Sequence, residues 1–248
     1  MDWSDRGIVL HVRRHGESSV ILELLTREHG RHLGLVRGGG SRRLRGALQA
    51  GNTMRATWRA RLSEHLGTFT VEPETERTGV MLSDRLALAG LTAATSVASA
   101  ALPEREAHSR VFDGLCVVLD SLADASSWPA VLVRWELGLL QDLGFGLDLA
   151  ACALTGETEG LAYVSPRTGR AVTAAGAGIY AHRLLPLPAF LAGGTRAPSE
   201  TDVTHGLRLT QHFLEKRVFA PQNKAIPAPR ADLVERLWGE RMPAPAKP

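Results

Sequence analysis

Apolar and polar positions alternate through the first seventy residues. From Asn52 to Arg61, Met54, Ala56, Trp58 and Ala60 are apolar while Arg55, Thr57, Arg59 and Arg61 are polar. Successive residues of a strand point to opposite faces, so this period of two predicts one buried face and one row of arginines. Val20, Leu22 and Leu24 alternate with Ile21, Glu23 and Leu25, and Ile8, Leu10 and Val12 alternate with Val9, His11 and Arg13, which predicts that each trio shares a face. His15-Gly16-Glu17-Ser18 separates these two strands, and Arg27-Glu28-His29-Gly30 precedes a third, Arg31 to Arg37. Gly34 inside the third strand suits a barrel bend or a close backbone approach. After Gly38-Gly39-Gly40, Ser41 to Leu48 is a short helical candidate; the arginine-row strand follows, then a fifth strand, Gly67 to Glu72, with Phe69 and Val71 inward.

Five strands with a helix between the third and fourth is the OB-fold arrangement, which binds oligonucleotides and oligosaccharides. From residue 82 the period becomes helical. Residues 82–101, 105–124 and 128–143 read as three helices; in the third, Leu132, Trp135, Leu139 and Leu143 fall at helical spacing, Pro129 suits the first turn and Gly144 the end. Another helix begins at Ser199 as N-cap, with Glu200 and Asp202 in its first turn and Val203, Leu207, Leu214 and Val218 as its apolar stripe. Residues 231–239 read as a short last helix, and the proline-rich 241–248 as a disordered tail. Residues 150–198 are loop-rich around pieces such as Leu161-Ala162-Tyr163-Val164. The expected fold is therefore α+β and multidomain, with a five-stranded OB-fold barrel over 1–80 and a helical domain over 81–248.

Charge divides the chain in a way the total of +3 hides. Residues 1–61 carry twelve arginines against five acids, a net charge of +7, while the remainder is mildly acidic. A basic front on an acidic body suggests a polyanion-binding module, and arginine suits bidentate phosphate contact. The expected DNA-contacting residues are Arg37, Arg42, Arg43 and Arg45 in the loop and short helix, with Arg55, Arg59 and Arg61 on the strand. Trp58 falls on the core side, so binding led by the phosphate backbone is expected rather than base stacking.

The two cysteines, Cys116 and Cys152, exclude a disulfide framework within the chain and fit a reducing compartment. The opening Met1-Asp2-Trp3-Ser4-Asp5-Arg6 lacks a signal-peptide pattern, and Leu86 to Leu102 reads as a buried helix rather than a membrane span, so a cytoplasmic location is expected. None of the three lysines follows a glycine, which excludes a Walker phosphate loop; Gly38-Gly39-Gly40 opens no βαβ unit, and no His-Glu-x-x-His occurs. No catalytic residue is expected. Glu72, Glu74 and Glu76 read as a solvated face. The alternative to a DNA-binding protein is an RNA-handling OB protein or an enzyme whose catalytic residues follow no recognised motif.

The order of elements resembles the RecO family. Gly7-Ile8-Val9-Leu10, Gly16-Glu17-Ser18-Ser19, Leu44-Arg45-Gly46-Ala47-Leu48-Gln49, Leu139-Leu140-x-x-Leu143-Gly144-Phe145 and Cys152-Ala153-Leu154-Thr155-Gly156 leading to Tyr163-Val164-Ser165-Pro166-x-x-Gly169 carry the resemblance. It implies binding of single- and double-stranded DNA in the nucleoid, annealing of complementary strands, and cooperation with RecR to load the RecA recombinase onto strands coated by single-stranded DNA-binding protein; a RecF-like partner stays open. It also implies a site for the acidic tail of the single-stranded DNA-binding protein in the helical region, with Arg134, Arg208 and Arg217 as rim candidates. Many relatives carry a four-cysteine zinc site after the third helix. Here Cys152 stands at the first ligand position, Thr155 replaces the second, and residues 165–182 supply no thiolate. Residues 150–198 are thus expected to be a degenerate zinc-ribbon-like insertion holding no metal, and no cofactor is expected.

Overall fold

The computed structural model describes residues 1–62, 64–81 and 83–238. The tail expected over 241–248 lies outside the described residues. The chain folds as two compact units, the first formed by Met1–Ala125 together with Pro227–Arg236 and the second containing Ser126–Ile226.

The first unit is built on five strands, β1 (Asp2–His15), β2 (Ser19–Thr26), β3 (Gly30–Val36), β4 (Thr53–Arg59) and β5 (Thr68–Thr75), with helix α1 (Arg42–Ala47) between β3 and β4. They close into a barrel in the order β1-β2-β3-β5-β4. Each neighbouring pair is antiparallel except β3 with β5, which meet in parallel at Leu35 and Thr68. The interior is filled by Val20, Leu22 and Leu24 of β2, Met54, Ala56 and Trp58 of β4, and Phe69 of β5, as the alternation predicts, with Ala47 and Leu48 of the α1 segment closing it. Gly34 makes the expected close approach: a Cβ there would stand 2.4 Å from Phe69 Cδ2.

The predicted face of β1 does not hold. Pairing with β2 runs from Val9↔Leu24 to His11↔Glu23, so Leu10 is an extra residue that reverses the alternation. Val9 and Val12 therefore share the barrel side, and Ile8 and Leu10 are buried without belonging to that core. Helices α3 (Arg85–Ala101) and α4 (Ser109–Ser121) pack on β1 and β2 and cover this outer side.

Asp84 caps α3, its Oδ1 accepting the Leu86 and Ala87 N–H groups, so the helix begins at Arg85; Leu82 lies outside the described residues. The helix expected from 105 starts only at Ser109, because the preceding segment pairs with β3: Arg105 N–H donates to the Arg31 carbonyl, and Arg105 takes a φ of 63°. The short helix α2 (Thr78–Met81) follows a buried polar hub. Asn52 Oδ1 accepts from the Arg77 and Thr78 backbone N–H groups, Asn52 Nδ2 donates to the Ala47 carbonyl, and Arg77 reaches Thr53 Oγ1 and Asp120 Oδ1.

In the second unit, α5 (Trp128–Asp142) packs against a later helix, α7 (Glu200–Phe213). Gly144, with φ 82°, ends α5 as predicted. Ser199 and Asp202 form a reciprocal capping box at the start of α7. Between them lie β6 (Leu161–Val164), β7 (Ala171–Thr173), the short α6 (Ala174–Ala177) and β8 (Leu185–Pro186), giving a three-stranded sheet in the order β7-β6-β8. A π-helical turn, Leu214–Phe219, follows α7. The expected last helix is found as α9 (Leu233–Trp238), and the short α8 (Ala228–Ala231), which belongs to the first unit, precedes it. Among the described residues no helix is long and apolar enough to cross a membrane.

Candidate nucleic-acid interface

The seven expected arginines fall into two groups. Arg14 pairs with Val20 across β1 and β2, and Val20 pairs with Val36 across β2 and β3, so Arg37 leaves β3 beside the tip of the β1–β2 hairpin. The glycine loop then folds onto that tip: Gly40 N–H donates to the Ser18 carbonyl at 2.9 Å, and a Cβ on Gly39 would stand 2.5 Å from Val20 Cγ2. Ser41 caps α1, which carries Arg42, Arg43 and Arg45. This pole of the barrel therefore presents Arg37, Arg42, Arg43 and Arg45 together with Arg13 and Arg14, all exposed. Among the described residues none of the six is in ion-pair contact; Arg45 donates to the Gly40 carbonyl, a neutral acceptor.

Arg55 and Arg59 stand on the outer face of β4, with Met54, Ala56 and Trp58 inward. That face is shared with carboxylates. Arg59 Nε lies 3.8 Å from Asp2 Oδ2, Arg55 is in register with Glu72 on one side and Arg6 on the other, and Arg6 Nε is 2.7 Å from Glu74 Oε1. Arg61 is exposed beyond the strand end. Of the acids read as a solvated face, Glu74 thus pairs with Arg6, and Glu72 stands in register with Arg55. Arg13 and Arg14 were outside the expected set; the signal for them is two consecutive arginines where β1 runs into a turn.

The far end of the barrel is aromatic, with Asp5 beside His29 at 3.2 Å. The Trp3 ring stacks on His29 at 4.1 Å, and Trp3, Trp58 and Phe69 surround His32 edge to face. His32 is 4% exposed, and among the described residues neither ring nitrogen has a hydrogen-bond partner. Burial, with the nearby Arg105 charge, lowers its pKa to about 4.

Cys152 lies in the small core of the β6-β7-β8 sheet with Val172 and Ala177. Its Sγ accepts the Thr173 N–H at 3.4 Å, which favours the thiolate and lowers the thiol pKa, while the Thr155 hydroxyl donates to Glu157 Oε2 at 2.9 Å. Among the described residues no group of three or more His, Cys, Asp or Glu side chains is placed to hold a metal ion. The ring of His182 is turned to the Ile179 carbonyl, 2.9 Å from its Nδ1. The side chains around Cys152 do not fit a zinc ion. Of the rim candidates, Arg134 lies 5.4 Å over the Phe190 ring, while Arg217 donates to the Phe145 carbonyl.

Residues 1–75 match the family described as "Recombination protein O N terminal", and residues 82–225 the family described as "Recombination protein O C terminal". The chain belongs to the RecO family. Proteins named "DNA repair protein RecO" from Rhodospirillum rubrum and Cereibacter sphaeroides are each 50% identical to it, over 243 and 238 residues, covering 96% of this chain and 96% and 99% of theirs. The RecO protein of Methylobacterium nodulans is 52% identical over 235 residues, 93% of this chain and 95% of that one. Membership in RecO places the chain among DNA repair and recombination proteins.

Proposed function

We propose that this chain is a recombination mediator without catalytic activity, working in the cytoplasm at the nucleoid. Its OB-type barrel binds single- and double-stranded DNA and anneals complementary strands; with RecR, it loads RecA onto strands coated by single-stranded DNA-binding protein. The observation that carries this reading is the pole of six exposed arginines, Arg13, Arg14, Arg37, Arg42, Arg43 and Arg45, outside any ion pair among the described residues of a RecO-family chain. Phosphate oxygens meet such side chains without first displacing a carboxylate, and these contacts position DNA without reading its sequence. Arg55, Arg59 and Arg61 extend the patch with weaker effect, since Asp2, Glu72 and Glu74 share their face. Arg134 and Arg208 remain the rim candidates for the acidic tail of the single-stranded DNA-binding protein. The chain works without zinc, as Cys152 packs with Val172 and Ala177 and bonds to Thr173 rather than facing further ligands among the described residues.

Mixing the protein with fluorescently tagged complementary strands tests the proposal. Annealing should accelerate without nucleotide or divalent metal, and an R42A/R43A double variant should slow it. Annealing at the spontaneous rate in the presence of the wild-type chain would refute the reading.

A further inference from the structure

The second unit gathers its own cations around the turn that joins β6 to β7. Arg167 and Arg170 lie on the turn itself, and Lys216 and Arg217 come from the π-helical turn after α7. Lys216 Nζ donates to the Pro166 carbonyl at 3.2 Å, and His212 Nε2 lies 3.1 Å from the same oxygen. The Arg217 guanidinium is 4.6 Å over the Phe213 ring, donates to the Phe145 carbonyl at 3.2 Å, and sits so close to Gly169 that a Cβ there would be 2.9 Å from Nη2. These partners are neutral. They hold Lys216 and Arg217 in place without cancelling their charge. Asp148, 3.3 Å from Arg170, is the carboxylate in ion-pair contact with the group among the described residues, which leaves the cluster net positive. Phe145 is 38% exposed beside Arg217.

We infer that this cluster is a second site for the phosphate backbone of a single DNA strand, so that each unit of the chain holds a strand of its own. The inference rests on the reading that the chain binds DNA. Four cations on the surface of a turn suit a ligand with regularly repeated charges, whereas an acidic peptide tail needs an apolar groove between its basic contacts. The exposed Phe145 ring adds a face on which a base can stack. Two strands held by one chain would also be brought together before any base pair forms, whereas a chain with one site anneals only by meeting a second loaded chain.

The test uses the full chain with two non-complementary oligonucleotides, one carrying a donor dye and one an acceptor, and reads strands bound per chain together with energy transfer. The wild type should bind two strands per chain at saturation. R167E/K216E should bind one, losing co-capture roughly tenfold or more while the affinity for the first strand changes less than about threefold, because the sites lie in separate units. If charge reversal lowers the melting temperature, R167Q/K216Q replaces it with the same expectation. A variant that co-captures like the wild type overturns the inference, as does a wild type that saturates at one strand; neither touches the proposed function. A wild type that binds no strand defeats the proposed function itself. A variant that keeps both strands but loses an acidic peptide identifies a peptide site and also overturns the inference.

Discussion

The Glu23 carboxylate of β2 lies 2.8 Å from the Arg31 guanidinium of β3, with the two side chains only 11% and 18% exposed. Ser99 of α3 donates to the same Glu23 oxygen at 2.9 Å, and Arg31 Nε donates to the Leu102 carbonyl at 2.8 Å, so this ion pair joins the barrel wall to the helix that covers it. Arg31→Ala would leave Glu23 largely buried with one hydroxyl donor. Urea titration should show a loss of about 2–4 kcal/mol, and the Arg31→Ala, Glu23→Ala double variant should lose less than the sum of the singles, because the second change removes the stranded charge. Additive losses would mean that the pair is not coupled.

His32 makes stability depend on pH. Its pKa is about 4 in the folded protein against 6.5 for a free side chain, so the unfolded chain takes up the proton first as pH falls. The contribution is present above pH 6.5 and declines as pH drops from 6.5 toward 4. Between pH 7 and 5 this group alone should lower stability by about 2 kcal/mol. His32→Phe should remove that part of the pH dependence in urea titrations at the two pH values, while an unchanged dependence would show that the imidazole titrates normally.

Salt should separate the two arginine groups. If about four to six phosphates are neutralised, log affinity for single strands should fall against log salt with a slope of about −3 to −4. R42A/R43A should flatten that slope by about one to two, and R55A/R59A by about one or less, since Arg59 is already near Asp2 and Arg55 faces Glu72. Equal flattening by both pairs would assign the β4 face the same weight as the pole.

Trp58→Ala should act on the fold instead of the affinity. The ring is 2% exposed, its Nε1 donates to the Leu66 carbonyl at 3.0 Å, and it closes against Trp3 and His32. Truncation should cost about 3–5 kcal/mol, whereas R42A/R43A should move stability by about 0.5 kcal/mol or less, as read by thermal melting.

Chelation should leave the melting temperature unchanged, and elemental analysis should find far less than one zinc per chain, because Cys152 is surrounded by threonine and backbone donors. Stoichiometric zinc would overturn this expectation.

Local period was enough to place the barrel strands and the inward residues of β2 and β4, because each depends on neighbours two residues away, and Gly34 was legible as a bend or close approach although Phe69 as its partner was not. The bulge at Leu10 was not legible, since an inserted residue leaves the apolar run from Ile8 to Leu10 unbroken. Nor was the late start of α4: the segment before it pairs with β3, more than seventy residues earlier. The arginine row on β4 was legible as a row, but its compensation by Asp2 and Glu72 required strand register. Arg167 and Lys216 stand almost fifty residues apart in the chain, and only the fold brings them to one turn.

The barrel is sealed unevenly, and this bears on how it moves. Four of its seams are antiparallel ladders, but β3 and β5 meet in parallel at Leu35 and Thr68, where the Leu35 amide donates to the Gly67 carbonyl at 3.0 Å. So short a seam has little cooperative protection, and the cylinder should part there before any other wall loosens. Deuterium should enter the Leu35 amide ahead of the amides of Leu22 and Leu24, making this junction a breathing slit in an otherwise tightly woven ring.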